Sequence, residues 1–276
     1  MLIDEIKNKE KISVGESLVL GYAAVRSNLT AILFVLLIIY FPINLLSGYI
    51  TLAINNIGAG IDFTAILSSP EMIEKFVTTP EYISMVRYNF AGTLTDMILY
   101  PFGSMAVVYI TKEALQGKNP AYTEALSAAF SNAGRFILSM IVFSICVSLL
   151  TLLGVIPGIF LAVVWSFYVY AIILDDCKGT KSLGRSRELV KGKWWRTFLY
   201  MIVFYAFSYA VAYLVGTIFM FAPDSYFTIV LSGVILSFIN MIFVAAKTVI
   251  YINYQGNSTA VKNIISKCKD GIPANT

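Results

Sequence analysis

Phe136–Leu174, FILSMIVFSICVSLLTLLGVIPGIFLAVVWSFYVYAIIL, is a run of 39 residues without a formal charge, bounded by Arg135 and Asp175. Its only interruption is Gly154-Val155-Ile156-Pro157-Gly158. A helix needs about 20 mostly apolar residues to cross a hydrocarbon core of roughly 30 Å, so the run has the length of two crossings joined by a tight turn. A basic segment ending in Lys193-Trp194-Trp195-Arg196 follows closely. The reading is a membrane hairpin feeding a basic interfacial helix.

The rest of the chain agrees. Of 276 residues, 58% are hydrophobic and 13% charged, where a soluble domain carries about a quarter charged. The further uncharged runs Leu29–Ile61, Thr197–Pro223 and Ser225–Ala246 have no polar face of the kind a soluble core helix shows. Six helical spans are expected near 29–50, 88–111, 136–154, 157–174, 197–221 and 227–251, because an open sheet edge has no partners in lipid. The fold class is all-α, a polytopic membrane protein forming one integral membrane domain over 1–276, with a cytosolic tail over 253–276. Met1–Asn28 mixes acid and base ahead of a run long enough to span, so it reads as a retained segment rather than a cleaved signal.

Six crossings put both termini on one side. With that side inside, eighteen of the 20 Lys and Arg residues are cytosolic and only Lys75 and Arg87 lie outside, the bias that fixes orientation. The outer segment 51–87 contains Ser69-Pro70-Glu71 and Thr79-Pro80-Glu81, each a capping hydroxyl, a first-turn proline and an acid at a helix start. Two short helices are predicted there, the second continuing into the second span.

A short amphipathic segment precedes the first, third and fifth spans, at Glu16-Ser17-Leu18, Glu124-Ala125-Leu126 and Lys181-Ser182-Leu183. Each leucine heads one helical stripe. The predicted architecture is three repeats of an interfacial helix plus a transmembrane hairpin, over about 14–111, 121–174 and 180–252. Small residues four apart recur in register, Ser17/Gly21, Ala125/Ala129 and Ser182/Ser186, and such pairs let helices approach closely.

Chemistry has few carriers. There is no His, which removes the commonest general base and neutral metal ligand; no catalytic residue, metal or cofactor is expected. Cys146, Cys177 and Cys268 have no paired spacing and read as reduced thiols. Asp96 is the acid well inside a predicted span, about 12 Å below the outer surface if the helix enters near Tyr88. It is a candidate for ion coupling or a polar cavity, or a protonated tie between helices. Asn44 falls at a similar depth and is its expected partner, with Pro42 and Pro101 loosening the helices nearby. Asn240 reads as interhelical glue, and Lys247 as an anchor whose stem snorkels to the inner headgroups. Asp175-Asp176 reads as a salt-bridging pair facing Arg185, Arg187 and Lys191. Lys181, Arg185, Lys191, Lys193, Trp194, Trp195 and Arg196 form a headgroup-level aromatic and cationic cluster, whose nearest anions are phospholipid phosphates rather than nucleic acid.

The segment Ile156-Pro157-Gly158, the acidic pair, and Ser182-Leu183-Gly184-Arg185-Ser186-Arg187-Glu188-Leu189-Val190-Lys191-Gly192-Lys193-Trp194-Trp195-Arg196 resembles the membrane domain found beside glycerophosphodiester phosphodiesterases and in stand-alone bacterial six-helix proteins. Gly117-Lys118 followed by Glu124-Ala125-Leu126 fits the same pattern; the outer segment 51–87 departs from it. Phosphodiesterase chemistry does not carry over, because in that family it resides in a separate soluble barrel. The resemblance implies a multipass scaffold that recognises or reorganises lipid or assists a neighbouring membrane machine. Richness in Ile, Lys, Asn and Tyr fits a low-GC bacterium. The expectation is a non-enzymatic protein of a bacterial plasma membrane, both termini cytoplasmic, whose partners are membrane lipids with anionic headgroups or another membrane protein. The alternative is a permease, or an export or immunity component, for a small or amphipathic cargo; an intramembrane enzyme comes third.

Overall fold

Capping residues and prolines set where the helices begin. Ser13 accepts a hydrogen bond from the Glu16 N–H at 3.1 Å while the Glu16 carboxylate accepts from the Ser13 N–H at 3.0 Å, a reciprocal box that satisfies two free donors. Ser69 and Thr79 accept from the Met72 and Tyr82 N–H groups, at 3.2 and 3.3 Å, ahead of Pro70 and Pro80. The two outer helix starts expected from sequence are both present, and the helix from Pro80 runs on into the second span.

The computed structural model describes residues 2–221 and 225–256, and their regular structure is helical throughout. In chain order the helices are α1 (Leu2–Asn8), α2 (Val14–Ser27), α3 (Leu29–Gly58), α4 (Phe63–Leu67), α5 (Pro70–Val77), α6 (Pro80–Leu115), α7 (Tyr122–Ser131), α8 (Ala133–Leu153), α9 (Val155–Leu174), α10 (Lys181–Val190), α11 (Trp194–Phe219) and α12 (Tyr226–Gly256). Six of them, α3, α6, α8, α9, α11 and α12, are long and apolar enough to cross a membrane. They fit a multi-pass membrane protein. A short helix stands ahead of the first, third and fifth spans, as the sequence predicts. Residues 257–276, with Cys268, Lys262, Lys267, Lys269 and most of the expected tail, lie outside the described residues.

At 36 residues α6 is about 54 Å long, so it projects well past a hydrocarbon core of roughly 30 Å. The projecting end carries α4, capped by Asp62 and not anticipated, and α5. Two prolines loosen the spans they enter. Pro42 and Pro101 have no N–H to return to the preceding turn, and each is preceded by a π-helical turn, Leu36–Tyr40 and Thr95–Leu99.

α12 is the hub of the bundle, with α1, α2, α3, α6 and α11 packed against it. Close approach is made possible by glycine: a Cβ on Gly21 would sit 2.6 Å from the Ala246 nitrogen, and one on Gly103 would meet the Tyr40 ring at 2.3 Å. Where lipid surrounds the helices, apolar burial gives little drive for association and this van der Waals contact is what holds them. The outer flank of α8 instead exposes Ile141, Ile145, Leu149 and Leu152. Such a stripe is stable against acyl chains and a liability in water.

Candidate functional site

The end of the bundle that gathers α1, α10 and the last turns of α12 is its basic end, and α9 delivers two acids to it. Asp176 takes φ +51°, a left-handed conformation that Asp tolerates better than most residues, and Gly179 follows at φ +52°. The chain therefore reverses and lays α10 against the end of α9. Arg185 donates through Nε to the Asp175 carboxylate. The Tyr251 hydroxyl donates to the same carboxylate at 2.8 Å, and Gln255 donates through Nε2.

The two side chains are buried, Arg185 at 0% and Asp175 at 1% exposure. Burial works against the Arg185 charge, but the adjacent Asp175 carboxylate outweighs it and holds its pKa above the ordinary arginine value. Of the three cations expected to bridge the acidic pair, Arg185 alone does so among the described residues; Asp176 pairs instead with Arg135 of α8, which the sequence did not suggest. The expectation that Arg185 faces lipid headgroups is corrected: its partner is an acid inside the fold, which draws it inward. Arg187 and Lys191, on the opposite face of the turn, stay exposed.

The small pairs are all buried. Ser17, Ala125, Ala129, Ser182 and Ser186 are each fully covered, and Gly21 lies on the α12 backbone. Two of them do more than save space. Ser182 shares a hydrogen bond of 3.0 Å with Ser139 of α8. Ser186 accepts from the Phe167 N–H at 3.0 Å and donates to the Val164 carbonyl at 2.8 Å, serving a break in α9 at Trp165–Phe167.

Beyond α10, the remaining cations and tryptophans form a ridge. Lys191 and Trp195 are exposed, the latter at 72%; Lys181 is half-buried. Lys193 lies 4.6 Å above the Tyr254 ring with no hydrogen-bond partner among the described residues, and burial, followed by the neighbouring Arg196 charge, pulls it below an ordinary lysine. Arg196 is committed to the protein: it donates to the Tyr200 hydroxyl at 2.7 Å and to the Ile12 carbonyl at 3.1 Å. Trp194 donates its indole N–H to the Phe160 carbonyl at 3.2 Å and stacks on the Phe160 ring at 5.5 Å.

Between α9 and α10 this leaves a groove of about 660 Å³. Phe160, Trp165 and Trp194 form its wall, and Arg187, Glu188 and Lys191 its rim. Burial raises the Glu188 pKa, with Arg185 opposing. The groove thus sets an apolar trough beside a rim of two exposed cations and one exposed acid. Of the rim, the sequence reading named Lys191 as a headgroup residue but not Arg187 or Glu188, and the trough depends on the reversal at Asp176.

The intramembrane polar residues are arranged differently from expectation. Asn44 donates to Ser237 at 2.9 Å and to the Tyr40 carbonyl at 2.7 Å, and the Tyr100 hydroxyl is 2.9 Å from Ser237. This satisfied cluster ties α3, α6 and α12, with Gly233 leaving room for the Asn44 amide. Asp96 is not in it. It lies on the exposed surface of α6 without an ion pair or hydrogen bond to a described residue. The expected Asp96–Asn44 tie is replaced by Asn44–Ser237, because Asp96 projects away from the packed face. Asn240 lines a small cleft of about 200 Å³ with Tyr100, Ser208 and Ser237, and makes no hydrogen bond to a described residue.

Residues 88–261 match a protein family described as a domain of unknown function, DUF7847. The chain belongs to that family. The DUF7847 match begins within α6 and takes in α7–α12, and therefore the Asp175–Arg185 pair, the groove and the tryptophan ridge. It covers the region where the resemblance to phosphodiesterase-associated membrane domains was drawn, without linking DUF7847 to them. No curated protein and no solved structure matches the chain.

Proposed function

We propose that this DUF7847 protein is a non-enzymatic, lipid-interacting scaffold of a bacterial plasma membrane, with its basic end in the cytoplasm against anionic headgroups. The observation that carries the reading is the groove between α9 and α10, where aromatic walls meet the exposed cations Arg187 and Lys191. Near an anionic surface each such charge contributes about 1 kcal/mol, decaying over a Debye length of roughly 8 Å at physiological salt. With Lys247 set aside as lying inside a span, seventeen cations on one side against Lys75 and Arg87 on the other support the orientation. The short helices ahead of alternate spans support three copies of helix plus hairpin, and the resemblance to membrane domains that accompany lipid-processing barrels supports a lipid partner.

Asp96 favours this reading over a permease. An ion-coupling acid belongs in a cavity or bundle interior, whereas Asp96 is exposed on the flank of α6. The test is lipid selectivity of the purified full chain in nanodiscs of mixed phosphatidylglycerol and phosphatidylcholine. Enrichment of phosphatidylglycerol that falls in the Arg187→Gln/Lys191→Gln double variant and in high salt supports the proposal; equal enrichment in wild type and variant contradicts it.

A further inference from the structure

Lys247 is a cation inside a span that has no anionic partner among the described residues. It lies nine residues before the end of α12, about 14 Å from the basic end along the helix axis. A snorkelling lysine would extend toward that end. Here its ammonium turns instead toward α11, 5.6 Å from the Phe204 ring centroid and 5.4 Å from that of Tyr205. Two turns further along α12, Tyr254 meets Thr197 of α11, their hydroxyls 3.2 Å apart. No carboxylate among the described residues pairs with Lys247. Ring faces offer a cation part of what water would, about 0.5 to 2 kcal/mol, but they do not neutralise it.

The ammonium lines a cleft of about 350 Å³ between α9, α11 and α12, in the size range of small-molecule sites. Its wall on the α9 side is the helix break, with Ser166 and Phe167 lining the space. Interrupted backbone at membrane depth is found where it is buried in protein or borders a cavity. Three residues show where the cleft opens: Ile159, Ile202 and Tyr205 line it and are also exposed on the flank of the bundle. The opening therefore faces the lipid, and the molecule that reaches Lys247 must arrive from the bilayer.

We propose that this cleft is a lateral phospholipid site, in which the phosphate of an anionic phospholipid pairs with Lys247 and its chains lie along Ile159 and Ile202. Charge complementarity selects the occupant, because the site holds one unneutralised cation in apolar walls, and an anionic phospholipid brings a net negative charge that phosphatidylcholine, with its own ammonium beside the phosphate, does not. A compact ammonium is a suitable point-charge partner for phosphate. The site is separate from the groove between α9 and α10 but rests on the same lipid-binding reading of the protein.

The experiment titrates the full-length protein in detergent with dioctanoyl phosphatidylglycerol or dioctanoyl phosphatidylcholine and counts bound lipid by native mass spectrometry. Wild type is expected to hold phosphatidylglycerol more tightly than phosphatidylcholine. Lys247→Gln should weaken phosphatidylglycerol at least fivefold and leave phosphatidylcholine unchanged, while Lys247→Arg keeps the preference. Ile202→Trp, which fills the cleft and leaves the charge, should weaken both lipids. A preference in wild type that survives unchanged in Lys247→Gln and Ile202→Trp, yet falls in Arg187→Gln/Lys191→Gln, overturns this site and leaves the general lipid reading standing. Absence of any preference in wild type overturns both.

Discussion

Phe167 and Ser186 are joined across two helices: the Phe167 N–H, freed by the break in α9, donates to the Ser186 hydroxyl at 3.0 Å, and that hydroxyl donates to the Val164 carbonyl at 2.8 Å. One side chain thus serves both ends of an interrupted span. It also explains why α10, a strongly charged helix by composition, is drawn into the fold. Ser186→Ala leaves a buried N–H unpaired, at a cost of about 1–3 kcal/mol, and Ser186→Leu adds a clash. Both should lower the thermal midpoint in nanodiscs, Leu more than Ala; midpoints equal to wild type would mean that the break is satisfied in some other way.

Gly21 and Gly15 lie in the same helix and make a paired test. A Cβ on Gly21 would fall 2.6 Å from the Ala246 nitrogen, whereas one on Gly15 meets nothing within 4 Å. Gly21→Ala should therefore force α2 off α12 and destabilise the protein. Gly15→Ala should raise stability slightly, by roughly 0.5–1 kcal/mol, because alanine has less backbone freedom to lose in a helix. Thermal midpoints of the two variants in the same lipid settle it, and equal shifts would contradict the close approach.

The six spans were legible because uncharged length is a direct consequence of bilayer thickness, and the outer helices because Ser69-Pro70 and Thr79-Pro80 state their own starts. Of the acidic pair's partners, Arg185 was legible from the cations one helix away, but Arg135, which takes Asp176, was not. What the sequence did not reveal depends on backbone direction. Nothing local says that Asp176 adopts a positive φ, and without that turn Arg185 reads as one more surface cation instead of a buried one. The break at Trp165–Phe167 lies in an apolar run with no Pro or Gly to mark it. Asn44 could be seen to need a partner, yet Ser237 is 193 positions away and only the crossing of α3 with α12 selects it over Asp96.

The same substitution at two acids separates structure from surface. Asp175→Asn removes the charge opposite buried Arg185 and should cost about 3–5 kcal/mol, the usual penalty for stranding one member of a buried pair. Asp96→Asn changes an exposed acid without a partner and should stay within about 0.5 kcal/mol of wild type. Chemical or thermal unfolding in nanodiscs measures both; a tolerated Asp175→Asn would contradict the locking role assigned to the pair.

Orientation is best tested with introduced thiols, because native Cys177 is fully buried and cannot report which side it faces. With the basic end cytoplasmic, an impermeant thiol reagent should label Thr78→Cys in intact cells and Lys191→Cys only after the membrane is opened. The reverse pattern would invert the topology.

If anionic lipid is this protein's partner, the membrane immediately around it is enriched in anionic lipid. Extracting the full chain directly from its membrane into polymer nanodiscs, without detergent, keeps the lipids that contact it, and quantitative lipid mass spectrometry then compares them with the bulk membrane. A higher anionic phospholipid fraction is expected around wild type than in the bulk, reduced in Arg187→Gln/Lys191→Gln. An anionic fraction equal to that of the bulk membrane would contradict it.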